Sequence, residues 1–535
     1  MNKLWYGDNL TIMKGMKKHS VDLIYLDPPF KSDANYNLLY KNMTGKPVPE
    51  QAEAFFDTWD LDATKLEIAR TMPVLMREHG VDDHYVAFWS IWMQALRNTQ
   101  PELLAYLIYM VQRLLYMKSI LRPTGSIYLH CDPTASHYLK VMMDGIFGHR
   151  NFRNEIIWRR THSHGDTKRK FGAVTDTILY YTVSDKYIFN PQYRPFKADY
   201  IDDTFKKDAS GRHWQSVTLR SPSLRPNLHY PYTASNGVTY HPHPNGWSCD
   251  IDRMKTYDAE KRLHYPSKST GALRLKMFLD ESQGVKVQSL WDDIDAIPAK
   301  SQERLGYPTQ KPKELLKRIV AASTNEGQVV FDPFCGCGTA IYAAHELHRE
   351  WIGCDIAILA VKLIREVLQE RYALAEGAHF ALDGIPVSVE QADELFKVDP
   401  FQFQHWVVER VGGFPMQKKV ADRGIDGRVY FETRNTLEEM IISVKGGKLR
   451  PTDIRDLRGT MEREKAAMAG FLSLQEPSKA MRAEAADAGV YTYNEVGYPR
   501  LQLLTVRDIL EGKREFHMPT RVNTKISTGQ QSLAL

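Results

Sequence analysis

Short apolar runs alternate with longer amphipathic segments at both ends of this chain, and no other feature constrains its fold so tightly. VDLIYLD, from Val21, reads as a buried strand. LLAYLIYMVQRLLYMKSIL is apolar at helical spacing and stops at Arg122-Pro123-Thr124-Gly125. SIYLHCD is then a strand, ASHYLKVMMDGIFG a helix closed by Gly148, and NEIIWRR and DTILYYTV two more strands. The alternation resumes after Pro308. KPKELLKRIVAAS is a helix, QVVFDPF a strand, CGCGTAIYAAHELH a loop entering a helix, and EWIGCDI a strand, with a helix from about Ala357 to Ala373 beyond. Strand–helix alternation of this kind predicts an α/β fold with a Rossmann-like, mostly parallel sheet. Such sheets bind ligands outside the carboxyl ends of their strands.

Composition narrows the classes further. The net charge of +5 permits a nucleic-acid partner without requiring one. The five cysteines form no disulfide framework, and Cys335 and Cys337 lack a second pair to complete a metal knuckle. These features, with no leader pattern and no apolar run of membrane-span length, lead us to expect a cytoplasmic protein that is not held in a membrane.

Two motifs carry chemistry. VVFDPFCGCGTA (Val329 to Ala340) is a strand, a glycine-bearing turn and a helix start, in which Gly336 and Gly338 let a ligand lie against the main chain. Asp355 follows Gly338 by 17 residues, at the end of the next strand, where a carboxylate accepts both ribose hydroxyls of an adenosine. The third glycine of a dinucleotide fingerprint is missing, which disfavours a nicotinamide-dependent oxidoreductase. The second motif is Asp27-Pro28-Pro29-Phe30. Alone, an Asp-Pro-Pro is more often a proline turn at a strand end. Beside a nucleoside site it gains a role. The Asp27 carboxylate and the Pro28 carbonyl accept both hydrogens of an exocyclic amino group, and Phe30 stacks on the attached ring. Two acceptors pull that nitrogen toward tetrahedral geometry and free its lone pair.

Together with LWYGDNLTIM, LRPTGSIYLHCDPTASHYLKVMMDGIFG, NFRNEIIW and YPTQKPKELLKRIV, these motifs resemble the S-adenosyl-L-methionine-dependent amino-methyltransferases of DNA, over residues 1–380. The order, with the Asp-Pro-Pro-Phe element before the glycine turn, matches the permuted, beta-type arrangement. The resemblance implies that Asp27, Pro28, Pro29 and Phe30 grip a flipped base. It implies that Asp8 lies by the cofactor adenine, that Asp332, Phe334, Gly336 and Gly338 surround its methionine portion, and that Asp355 holds its ribose. Thr309 and Lys311 would anchor the methionine carboxylate. An aspartate before Pro-Pro is commoner in the adenine enzymes of this family, and a cytosine amino group stays open as the alternative. Double-stranded DNA is the implied partner, in a prokaryotic or phage-type setting, with a homodimer or a restriction-system subunit as further partners. A DNA-binding protein on a dead methyltransferase is disfavoured by the intact Asp27, Pro28, Gly336 and Asp355.

Residues 196–300, rich in Pro, His, Tyr, Arg and Ser, read as an irregular target-recognition insertion. Its Arg212, Arg220, Arg225, Asn227 and His229 suit base edges or phosphates. Residues 381–398 read as a connector and 520–535 as a flexible tail. Residues 399–519 resemble a smaller α/β restriction-endonuclease-like domain of the Mrr kind. Asp426 precedes one strand of a hairpin and Lys445 ends the other, which would place Mg2+ at Asp426. The pattern departs from active nucleases at Ser443, where an acid or amide is usual, and at Gln404, where Glu409 is the candidate substitute. Cleavage of DNA and an inert nuclease-like DNA-binding module are both left open.

Overall fold

The computed structural model describes residues 2–29, 59–161, 171–208, 210–267, 271–298, 300–307, 309–416, 424–433 and 437–519. Phe30 and the tail 520–535 lie outside the described residues. Two compact units result: Pro191–Gln288, and the residues on both sides of it.

The larger unit is built on a sheet of nine strands among the described residues. In chain order they are β1 (Asn2–Tyr6), β2 (Val21–Leu26), β3 (Leu121–Cys131), β4 (Phe152–Arg159), β5 (Thr175–Thr182), β6 (Leu290–Trp291), β7 (Val329–Asp332), β8 (Glu350–Asp355) and β9 (Phe380–Asp383). Their order across the sheet is β6-β4-β5-β3-β2-β7-β8-β1-β9. All pairings are parallel except those of β5 with β3 and β4. The predicted α/β alternation is therefore what forms. β2 sits mid-sheet with every residue buried, as its apolar run Leu23 to Leu26 demands. Its one acid, Asp22, is 3% exposed and accepts hydrogen bonds from the Val329 amide (2.9 Å) and Gln328 Nε2 (3.0 Å). A buried carboxylate needs such partners, and here they pin β2 to β7. The helix Pro101–Ile120 is buried on nearly all faces, in the same core as Leu26, Ile127 and Phe331.

The connector expected at 381–398 is instead ordered. Phe380–Asp383 adds β9 to the sheet edge and Val389–Val398 is a helix capped by Ser388. β1 also joins the sheet, between β8 and β9.

Beyond Asp399 come the helix Pro400–Arg410 and five strands, β10 (Phe414–Pro415), β11 (Gly427–Glu432), β12 (Leu437–Lys445), β13 (Met468–Ser473) and β14 (Leu501–Thr505), lying in that order. β11 and β12 form the predicted antiparallel hairpin, and β12, β13 and β14 run parallel. Ile441, Phe471 and Leu501 pack on Ile454 and Leu457 of the helix Pro451–Glu464 and on Met481 of the helix Lys479–Ala486.

The unit Pro191–Gln288 is less irregular than its composition suggests. Strands Leu263–His264, Arg274–Phe278, His213–Thr218 and Lys206–Lys207 form an antiparallel sheet. Leu219, Leu228, Tyr240, Trp247, Met254 and Leu273 give it a core of its own. Leu290–Trp291, inside the expected recognition segment, belongs to the large sheet as β6.

Candidate active site

Four neighbouring strands, β2, β7, β8 and β1, bring acids to one carboxyl edge. Asp27 follows β2, Asp332 ends β7, Asp355 ends β8, and Asp8 lies two residues past β1. Pro28 and Pro29 cannot extend a central strand, so β2 stops where its acid is needed. β1 and β8 pair Tyr6 with Asp355, and the Gly7 amide donates to the Asp355 carbonyl at 2.9 Å.

The turn after β7 is closed by Gly338 N donating to Cys335 O (2.6 Å) and held on β8 by Cys335 N donating to Cys354 O (3.0 Å). Gly338 has φ +85, and a Cβ there would lie 2.8 Å from Ile364 Cγ1 and 2.9 Å from the Tyr342 ring. Gly336 has φ +49 and faces the edge of the Tyr307 ring, 3.3 Å from where its Cβ would be. Burial pushes both turn thiols up, Cys337 to about 12. They stay protonated and offer neither a nucleophile nor a thiolate ligand.

The turn orients Asp355. Its Oδ2 accepts from the Gly336 amide (2.8 Å) and its Oδ1 from the Ala357 amide (2.9 Å). Burial nevertheless raises its pKa to about 6. Asp332 is raised well above the carboxylate range, first by burial and then by Asp27 and Asp355, against the Phe334 amide and Lys311. The Lys311 ammonium lies 2.5 Å from Asp27 Oδ2. Lys311, expected on the cofactor's carboxylate, lies on Asp27 here. Thr309 is exposed, Pro28 is buried and Phe334 half-buried.

Arg113 was not legible as a site residue. Its Nε donates to Asn9 Oδ1 and its Nη2 to Asp8 Oδ1, both at 2.7 Å, while its guanidinium lies 3.4 Å from the Tyr109 ring centroid. Asn9 in turn donates to the Pro333 carbonyl at 2.8 Å. The pair therefore links β1, the helix Pro101–Ile120 and the glycine turn. The signal was available: one arginine inside MVQRLLYM, on a helix buried nearly all round, requires a buried partner. Tyr109, its pKa raised to about 12 by burial, and Tyr307 also line this region.

Of the residues named for a nuclease site, Asp426 and Ser443 meet, and Glu409 does not join them. Asp426 Oδ2 accepts the Val444 amide (2.6 Å) and the Ser443 hydroxyl (3.3 Å). Lys445 is exposed. Glu409, the candidate substitute acid, faces the large sheet instead: Tyr6 Oη and the Ile358 amide each donate to its Oε2 at 3.4 Å. Among the described residues no His, Cys, Asp and Glu form a group able to hold a metal ion.

In the unit Pro191–Gln288, Arg212 is committed to Asp280 (2.8 and 2.9 Å) and Glu281 (2.9 Å) and stacks on Phe278 at 3.9 Å. Arg220, Arg225, Asn227 and His229 are exposed.

A family model described as DNA methylase (N6/N4) matches residues 21–366, and one described as NACHT-associated inactive Restriction Endonuclease 1 matches residues 400–509. The type II methyltransferase M.EcaI of Enterobacter cloacae is 32% identical over 261 residues, covering 49% of this chain and 56% of its own. The type III restriction-modification enzyme StyLTI Mod subunit of Salmonella typhimurium is 24% identical over 363 residues, covering 64% of this chain and 50% of its own. The chain thus spans about half the length of these relatives. The PvuII DNA methyltransferase (cytosine-N4-specific) structure covers 71% of this chain and 88% of its own at 10% identity and TM-score 0.33, too loose a likeness to bear on geometry. Among the described residues no helix is long and apolar enough to cross a membrane.

Proposed function

Because this chain belongs to the N6/N4 DNA methylase family, whose model spans residues 21–366, we propose that it transfers a methyl group from S-adenosyl-L-methionine to the exocyclic amino group of adenine in double-stranded DNA. One observation carries this proposal: β2, β7 and β8 are neighbours in the sheet, and Asp27, Asp332 and Asp355 stand together at their carboxyl edge. Such a pocket favours a cationic ligand. S-adenosyl-L-methionine, with its sulfonium and ammonium, fits that demand and has no need of a metal ligand set. Asp355 would hold its ribose, Asp8 would lie by its adenine, and Asp332, Phe334, Gly336, Gly338 and Thr309 would surround its methionine portion. When bound, it supplies a methyl group activated by the positive sulfur.

The chain's own residues prepare the amine. Asp27 and the Pro28 carbonyl accept its two hydrogens and localise its lone pair. The Lys311 ammonium, 2.5 Å from Asp27 Oδ2, orients that carboxyl group. The target lies inside a duplex and must be flipped out to reach this edge. The exposed Arg220, Arg225, Asn227 and His229 suit contacts to DNA. The aspartate, rather than a serine, before Pro-Pro supports adenine as the base.

The C-terminal module does not cut DNA in this proposal. Its Asp426 is satisfied by Ser443 and the Val444 amide, and its Glu409 is engaged elsewhere. Cleavage in a restriction system then falls to a separate partner chain.

The test is incubation of DNA of varied sequence with methyl-labelled S-adenosyl-L-methionine, followed by mass spectrometry of the nucleosides. N6-methyladenine is expected, and is lost in Asp27→Ala. N4-methylcytosine would overturn the choice of base. No transfer to any DNA would overturn the activity.

A further inference from the structure

We infer that Glu409, from the C-terminal module, is a positioning residue for the adenosine end of the cofactor site, so that the nuclease-like module serves cofactor binding instead of cleavage. The inference rests on the S-adenosyl-L-methionine site proposed above.

Glu409 reaches the two strand ends that carry the nucleoside-binding acids. Tyr6, the last residue of β1, donates its hydroxyl to Glu409 Oε2, and Asp8 follows two residues later. Ile358 donates its amide to the same oxygen, and it opens the helix Ile358–Tyr372 three residues after Asp355. The Ile358 amide is a first-turn donor with no partner inside its own helix, and Glu409 supplies one from another part of the chain. β1 and β8 are register partners at this point, Tyr6 against Asp355. One carboxyl group therefore clamps both edges of the seat for the ribose and adenine.

The clamp has a rigid base. The helix Pro400–Arg410 is capped by Asp399, which accepts the Phe401 (3.1 Å) and Gln402 (3.0 Å) amides. Phe403, Trp406, Val407 and Val408 are fully buried. Glu409 projects from the last turn of an element fixed along its length. Lys362, on the helix Ile358–Tyr372, contributes an opposite charge nearby. In a metal-dependent nuclease an acid from this helix would turn toward Asp426. Here it turns to the methylase sheet.

Full-length wild type, Glu409→Ala, Glu409→Gln and Tyr6→Phe are compared by titration calorimetry with S-adenosyl-L-methionine and by steady-state methyl transfer to DNA. Glu409→Ala is expected to weaken cofactor binding about tenfold and raise the cofactor KM in parallel, with kcat changed less than twofold. Glu409→Gln keeps an acceptor oxygen of the same reach and should restore affinity to within about threefold of wild type. Equal affinity of Glu409→Ala and wild type overturns the inference. So does an equal loss in Glu409→Gln and Glu409→Ala, which would mark the charge rather than the clamp. Should Glu409→Ala fail to fold, Tyr6→Phe decides, since it removes one hydroxyl: affinity several-fold weaker supports the clamp and unchanged affinity refutes it. A wild-type chain that binds no S-adenosyl-L-methionine would instead overturn the cofactor assignment itself.

Discussion

Lys311 and Asp27 are 284 residues apart in sequence and 2.5 Å apart in space. Their contact joins the segment before the glycine turn to the acid that follows β2. A charge-assisted contact this short fixes the direction of the carboxyl group. Lys311→Ala is expected to lower kcat for methyl transfer roughly tenfold, a loss of ~1.4 kcal/mol in the transition state, with Lys311→Arg retaining more. Asp27→Ala should abolish transfer while cofactor binding persists. Steady-state kinetics and calorimetry on the three variants check this.

Arg113 is buried and pairs with Asp8, which is 27% exposed, with the buried Asn9 as a third member. Removing Arg113 leaves the Asn9 carbonyl without its donor, and an unsatisfied buried acceptor costs about 1–3 kcal/mol. Arg113→Met should therefore lower the melting temperature sharply and weaken S-adenosyl-L-methionine binding, since Asp8 loses its anchor. Thermal denaturation and calorimetry read the two effects.

Gly338→Ala should be worse than Gly377→Ala. Both glycines have positive φ, +85 and +80, but a Cβ at Gly338 meets Ile364 and Tyr342 below 3 Å, whereas Gly377 has nothing within 4 Å. Overpacking adds about 1–3 kcal/mol to the backbone cost that both share. Chemical denaturation of the two variants measures the difference, and only Gly338→Ala should also impair cofactor binding.

Burial raises Glu409 to about 8, with Asp355 adding to the rise and the Ile358 amide, Lys362 and Tyr6 opposing it. Its unfolded value is near ~4.3, so the folded chain holds a proton that the unfolded chain releases. The stabilisation linked to that proton is complete below about pH 4 and is lost as pH climbs to about 8. Glu409→Gln does not titrate. The melting temperature of wild type relative to Glu409→Gln should fall from pH 5 to pH 8, and the comparison removes the contributions of Asp332 and Asp355, which also titrate.

Asp426→Ala should leave methyl transfer within about twofold of wild type and lower the melting temperature, because the Val444 amide loses its acceptor. Wild type with magnesium should not cleave unmethylated DNA, as an agarose gel assay would show.

What the sequence made legible was local. The run VDLIYL and the turn CGCGT have the periods and glycines of their elements, so β2, β7, β8 and their acids could be placed before the fold was known. β1 and β9 were not legible as strands because they are short and only partly buried, and their pairing depends on neighbours hundreds of residues away. The core of Pro191–Gln288 escaped for a related reason: Leu219, Trp247 and Met254 have no helical or strand period, and only tertiary packing gathers them. Lys311 on Asp27 and Glu409 on Tyr6 are long-range pairings that no motif encodes. The pairing of Arg212 with Asp280 and Glu281 is equally hidden, because an arginine suited to phosphate is also suited to two local carboxylates.

The order β2-β7-β8-β1-β9 has a consequence for synthesis. β1 and β2 leave the ribosome before β7, β8 and β9, the parallel partners that join them to each other, which are made after the entire Pro191–Gln288 unit. Until about residue 383 has emerged, the early strands carry unpaired edges, and the buried Asp22 lacks the amide that β7 supplies. Closing so long a loop is slow. A nascent or truncated chain is thus exposed to aggregation and lacks the edge that gathers Asp8, Asp27, Asp332 and Asp355, which forms only when the sheet closes around β1.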